Sequence, residues 1–404
     1  MGRRYLFFRN ALLQFSFFIS FCVLTVFTVL YLQSVGFSTL DTGIIFGLGN
    51  LCGALLQLVT GQLADASKVI SLRMVIFGHA LLALVFMIPV VFFQATGFII
   101  PVAFFVFVLI SQAIQGPINS VSVAFEQAGY PISFSVIRGI GSASYGLTSL
   151  AAGFYFESRP ITDVPLVLFC GMLLFMLCIF LVPPVPAGVN TLRDARVEPT
   201  SQPTKHFYRK YPFFVPLLIG FTLLFAGHMI INNFLALLVE NVGGSSGQVG
   251  VAVSCAIVME TTSLMLYGRF RRMLSDRALM AIAACFFTVK AFILSQAADV
   301  GLVYVSQFFQ FATFPFLTGG ISYFSADVVE VQDLVKGQNV VTIIMALGGA
   351  IGSTSGGFLL NYTNAATALM VTVAISLVGT LIALYGIWSA GKAVTKKDTA
   401  EKAL

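Results

Sequence analysis

The sequence predicts an all-α integral membrane protein whose twelve transmembrane helices form two six-helix bundles. Three observations carry this expectation. First, 58% of the 404 residues are hydrophobic and only 9% are charged, with a mean hydropathy of +0.95; a soluble domain carries about 25% charged residues. Second, apolar runs recur at the length a helix needs to cross a hydrocarbon layer of about 30 Å. Barrel strands would be about ten residues long and would alternate polar with apolar. Third, 19 of the 22 Lys and Arg residues fall at the termini or in the even-numbered connections between runs.

Taken in order, the runs place spans at 11–32, 42–63, 72–94, 98–123, 134–156 and 164–183, then at 212–239, 247–268, 278–296, 300–323, 338–361 and 366–389. The first follows Arg3, Arg4 and Arg9 as a signal peptide would. It stays apolar to about Leu32 with no small-residue cleavage site, so it reads as a retained helix. A polar, proline-broken stretch divides the chain into a first bundle (1–184), a linker (185–211) and a second bundle with a short tail (212–404). Of the basic residues, only Arg159 lies in an odd-numbered connection. Positive residues favour the cytoplasmic face, so both termini and the linker are expected there, in a cell membrane of the bacterial cytoplasmic type. The six cysteines stand singly inside apolar runs and read as small hydrophobes packed between helices.

The stretch from Val249 to Leu294 carries the most chemistry. Glu260 lies roughly 13 Å along a helix from Arg269, and Lys290 roughly 20 Å from Arg277. Both are therefore expected near the middle of the bilayer. Charges at that depth are costly unless they face a partner or water, and they mark solute or ion pathways. Glu260 is a candidate proton carrier and solute acceptor; Lys290 is its candidate counter-ion. The structural alternative is a static ion pair that holds the two spans in register. His228 could relay protons or could simply pack. Arg138, one turn inside its span, could clamp a solute with its planar fork, pair with Glu126, or snorkel to headgroups. Asn119, Asn232, Asn233 and Gln310 are amides in spans that would line a cavity, and either bind solute or bond between helices.

Several patches carry a resemblance. Gly61-Gln-Leu-Ala-Asp65-Ala-Ser-Lys68 is similar to the cytoplasmic loop signature of the major facilitator superfamily, with a weakly basic tail, and Gly268 to Asp276 echoes it in the second half. Asp41-Thr-Gly-Ile-Ile-Phe46, Phe134-Ser-Val-Ile-Arg138-Gly-Ile-Gly141 and Gly227-His228-Met-Ile-Ile-Asn232-Asn233-Phe234 resemble its lactose permease and phenylpropionate permease branch. The resemblance implies the major facilitator fold and alternating access to a midplane site. It implies solute contact at Arg138 and Glu260, proton coupling through Glu260, and a latch at Gly61, Asp65 and Lys68. The branch's His and Glu of span ten are absent here, where the chain reads Gln310-Phe-Ala-Thr313-Phe-Pro315, so a lactose-specific site is not expected.

The expected activity is proton-coupled symport of a small polar organic solute: an oligosaccharide, a nucleoside or an aromatic acid. The alternative on the same scaffold is proton-driven efflux of lipophilic compounds, favoured by 41 phenylalanines. No nucleophile triad, metal-ligand cluster or phosphate loop is present, so no enzyme, cofactor or metal is expected. The expected partners are the solute, H+ and the lipid bilayer, without nucleic acid, and the expected state is a monomer.

Overall fold

The computed structural model describes residues 3–66, 71–130, 132–184 and 206–402. Every regular element among them is helical. The first half contains α1 (Arg3–Ser34), α2 (Thr39–Ala66), α3 (Leu72–Phe92), α4 (Ile99–Ala113), α5 (Gln115–Gln127), α6 (Phe134–Ser158) and α7 (Val164–Leu181). A short helix α8 (Phe207–Lys210) precedes α9 (Phe214–Asn241), α10 (Ser246–Met273), α11 (Asp276–Ser295), α12 (Val300–Phe308), α13 (Phe314–Val328), α14 (Leu334–Tyr362) and α15 (Ala365–Lys402).

Among the described residues, eleven segments are long and apolar enough to cross a bilayer. The expected fifth span, α6, is the twelfth; its 25 residues reach about 38 Å, but glycines and serines dilute its hydropathy. Local signals set the helix ends. Ser38 and Asp41 form a reciprocal cap at the start of α2, where the Asp41 carboxylate accepts the Ser38 N–H at 2.8 Å and the Ser38 hydroxyl accepts the Asp41 N–H at 3.1 Å. Gly36 ends α1 with φ +92°, a conformation that needs glycine.

The fourth and tenth expected spans are not continuous helices. The fourth is interrupted only at Ile114, between α4 and α5 and just before Gly116 and Pro117; Ile114 keeps right-handed helical dihedrals and donates to the Ile110 carbonyl at 3.0 Å. The tenth span passes from α12 through a 3-10 turn, Phe309–Ala312, and resumes as α13 with Pro315 in its first turn. Proline lacks the N–H that would close the preceding turn, and its ring crowds the carbonyl four residues back. A hydropathy window sees only apolar content, which is why each span reads as one piece in the sequence.

The helices assemble into two compact units. One comprises the chain to residue 184 together with Asn232–Ile257; the other comprises residues 206–231 and Val258 onward. The C-terminal part of α9 and the start of α10 thus belong with the first unit. In that unit α1 packs on α6 and α7, while α4 packs on α2 and α3. The start of α10 lies tightly on α6. The Ser149 hydroxyl donates to the Gly250 carbonyl at 3.2 Å, and Ser254 donates to the Gly146 carbonyl at 2.7 Å. A Cβ on Gly153 would meet Ser246 O at 2.7 Å. Small residues permit this approach.

In the second unit α11 packs against α13 and α15, and buried rings of Phe213, Phe214, Phe221 and Phe324 fill the core. In the eleventh span, α14, close helix contacts occur at Gly348 and Gly352, which lie against Thr222, Phe225 and Ala226 of α9. Gly139 and Gly349 face open space instead. The cysteine expectation needs correcting too: Cys22 and Cys178 are buried, but Cys170 and Cys285 are exposed on helix surfaces.

Candidate functional site

Three of the polar residues singled out in the sequence meet inside the second unit. Lys290 comes from α11, five residues before its end, and is 1% exposed, so it cannot be a lipid-facing, snorkelling side chain. Its ammonium donates to Gln310 Oε1 at 2.7 Å. Gln310, buried in the 3-10 turn of the broken span, donates from Nε2 to Glu260 Oε2 at 2.8 Å. The result is an ammonium–amide–carboxylate chain drawn from three spans. The two ends fix the amide's orientation, because an ammonium only donates and a carboxylate only accepts. Each bond has one ionised member and is of the stronger, charge-assisted kind. Lys290 is the closed end; Glu260 is only partly buried and is the end that outside groups can reach. Were the tenth span continuous, Gln310 would sit on a regular helical face; the break sets its amide between the two charges.

His228 is buried beside this chain. Its ring packs 5.5 Å from Phe225 and edge-on 5.4 Å from Phe287, one turn before Lys290.

A second polar surface lies in the first unit, along two helical stripes. On α1, Gln14, Phe18, Phe21 and Thr25 recur at one face; on α6, Arg138, Ser142, Tyr145 and Ser149 do the same. The Arg138 guanidinium donates to the Ser142 hydroxyl at 3.2 Å and lies 4.8 Å over the Phe18 ring. Thr25 and Tyr145 share a 2.7 Å hydroxyl contact, and Gln14 donates to Asn119 Oδ1 at 3.0 Å. Gln14, Thr25 and Tyr145 escaped the sequence reading, although the i, i+4, i+7, i+11 spacing was there to find them.

The remaining candidates are dispersed. Glu126 is exposed and accepts the Phe134 N–H at 3.2 Å, capping the start of α6, while Arg138 points to Ser142. Asn232 and Asn233 lie on the part of α9 that belongs to the first unit, Asn233 buried and Asn232 half-buried. Gly61 and Asp65 fall in the last turns of α2, where side chains are not described, and Lys68 lies outside the described residues.

Comparisons with known proteins agree with this architecture. The family model described as MFS_1 like family matches residues 8–371. No curated protein matches the chain. Among solved structures, a variant of the nucleoside transporter NupG superposes with a TM-score of 0.78 at 15% identity, covering 94% of this chain and 99% of that one. The peptide transporter POT gives 0.71 at 12% identity, covering 97% and 95%. A bacterial homologue of the human lysosomal transporter Spinster, inward-facing and unoccupied, gives 0.66 at 14% identity, covering 96% and 98%. At such identities these likenesses speak for the fold alone.

Proposed function

Because the chain belongs to the MFS_1 like family, we propose that it is a secondary active transporter that moves a small polar organic solute by alternating access, in symport with protons. The single observation that carries the proton-coupling part is the Lys290–Gln310–Glu260 chain. An acid and an amine linked inside a bilayer-spanning unit form a neutral array. Protonating Glu260 removes the negative end and leaves the Lys290 ammonium buried without its counter-charge, at a cost of several kcal/mol. That state becomes accessible when another polar group compensates. A solute that donates to or accepts from the open end supplies such a group, so solute and proton favour each other's binding. In this reading His228 borders the proton site. Arg138, Asn119, Asn232, Asn233 and Gln310 furnish hydrogen bonds to the solute, and Glu126 orders the entrance to α6. The turn at Gly61, Asp65 and Lys68 acts as the conformational latch, and the protein works as a monomer in the cell membrane with both termini cytoplasmic. The fold is shared with the nucleoside transporter NupG and the peptide transporter POT, which supports a polar organic cargo.

The test is uptake of labelled lactose, uridine and 3-phenylpropionate into proteoliposomes with an imposed pH gradient. The reading expects one solute to accumulate against its gradient, and expects the Glu260→Gln protein to equilibrate that solute without accumulating it. Undiminished uphill uptake by Glu260→Gln removes Glu260 as the coupling group. Extrusion of lipophilic dyes without uptake of any polar solute would favour efflux instead.

A further inference from the structure

A cleft of about 560 Å³ lies in the second unit where the end of α10, the start of α11 and α13 meet. Its lining has three arginines, Arg271, Arg272 and Arg277, and two acids, Asp276 and Asp327, a formal excess of one positive charge. The acids are engaged by one arginine. Arg271 donates from Nε to Asp276 at 3.2 Å and from Nη2 to Asp327 at 2.9 Å, with its guanidinium 4.2 Å over the Tyr323 ring. Among the described residues, neither Arg272 nor Arg277 takes part in an ion pair. The concavity therefore holds a braced floor and two arginines available to an anion.

The depth of the cleft identifies the anion. Arg277 reaches Gly391 of α15. Beside it on α15, Trp388 and Tyr385 are exposed, and the Lys392 ammonium lies 3.7 Å over the Trp388 ring. An exposed Trp–Tyr pair with a lysine where the apolar span of α15 ends, at Lys392, is the signature of the headgroup layer. On the apolar part of α10 that leads away from the cleft, Met265 is 79% exposed, a side chain suited to acyl chains. We propose that this cleft binds the phosphodiester of an anionic membrane phospholipid, with Arg272 and Arg277 as its ligands and Arg271 as the fixed wall behind them. Guanidinium groups match phosphate oxygens in bidentate fashion, and basic pockets between spans at this level take up anionic headgroups.

The test uses the full chain in detergent, titrated with phosphatidylglycerol or phosphatidylcholine of identical acyl chains and read by native mass spectrometry. Saturable retention of one phosphatidylglycerol is expected, with no comparable phosphatidylcholine adduct. Removing the two arginines in R272Q/R277Q is expected to weaken phosphatidylglycerol binding about 25-fold, roughly fivefold for each. R209Q, which alters an exposed arginine outside the cleft, should bind as the unaltered chain does. Should the double variant fail to fold, R272Q alone, at an exposed position, is expected to show the fivefold loss. Equal binding by R272Q and the unaltered chain, or equal retention of the two lipids, overturns the proposal. Displacement of the lipid by an equal concentration of inorganic phosphate would make the cleft a site for a free anion and overturn the lipid assignment as well.

Discussion

Replacing Gln310 with leucine tests the polar chain directly, because it keeps roughly the volume and removes both bonds. Each hydrogen bond to a charged group contributes about 1.5–3 kcal/mol. The Lys290 bond is fully buried and stands near the upper part of that range; the Glu260 bond is partly open to solvent and is discounted to the lower part. Q310L is therefore expected to destabilise the protein by about 3–4 kcal/mol. In a Lys290→Met background only the Glu260 bond remains to be lost, so the same substitution should cost about 1–1.5 kcal/mol. The difference, about 2 kcal/mol, is the coupling energy of the cycle. Equilibrium unfolding in mixed detergent micelles, followed by far-ultraviolet circular dichroism, measures all four proteins. The charge-swapped E260Q/Q310E, which moves the carboxylate one link nearer the amine, should lie within about 1 kcal/mol of the unaltered protein if net neutrality is what the array requires. Costs for Q310L that agree to within about 0.5 kcal/mol in the two backgrounds would refute the bridge.

Two further outcomes are expected. In G153V the new Cβ meets the Ser246 carbonyl at 2.7 Å and the Gly250 backbone at 3.0 Å; backbone cannot yield as a side chain can, so a loss of about 1–3 kcal/mol is expected. G139A, whose Cβ meets nothing within 4 Å, is the matched control in the same unfolding assay. The second concerns the start of the second bundle, where Lys210 bonds Glu330 at 2.7 Å and Asp333 at 3.2 Å. Its bond holds the Glu330 carboxyl below the usual carboxylate range, and the Glu330 contact in turn lifts the Lys210 ammonium above its ordinary value. A depressed carboxylate contributes fully above its unfolded value, about pH 4, and the contribution disappears as pH falls through the lower folded value. The raised ammonium contributes below about pH 10.5 and loses its contribution as pH climbs through the higher folded value. Melting temperatures should show the unaltered protein falling toward K210M at both extremes and exceeding it between them. A constant gap across pH would count against the ion pair.

Much of the helical frame was legible because a bilayer imposes length and apolarity on every span, and α1, α7 and α15 satisfy both without exception. Glu260 and Lys290 were legible because a charge within a long apolar run stands out whatever its neighbours are. What joins them was not. Gln310 is 20 residues from Lys290 and 50 from Glu260, and no periodicity within one span reports on a bond between spans. In the sequence it stands as one amide among several. Glu126 shows another case: a carboxylate near a helix end read as a possible partner for Arg138, and nothing in the sequence marked the Phe134 N–H that it accepts.

The prolines were the under-read signal, and they point to a relation between the two halves. The fourth span of the first six breaks before Pro117, and the fourth span of the second six breaks before Pro315. Each break carries glutamine amides bonded to a neighbouring span. Gln112, two residues before the first break, donates to Asn50 Oδ1 at 2.9 Å and accepts from Gln115 at 3.4 Å; Gln310 in the second bonds Glu260 and Lys290. A duplicated bundle would inherit the interruption twice, since a freed backbone in the bilayer interior needs polar partners wherever it occurs. What differs is the charge of those partners. The first half answers its break with neutral amides alone, while the second answers with a carboxylate and an ammonium, the only arrangement of the two in which taking up a proton changes the electrostatics of the span. This asymmetry is why the proposed coupling is assigned to the second break. The double variant K290M/E260Q, which strips both charges from the array and leaves Gln310 in place, should keep solute exchange intact while abolishing its dependence on the pH gradient.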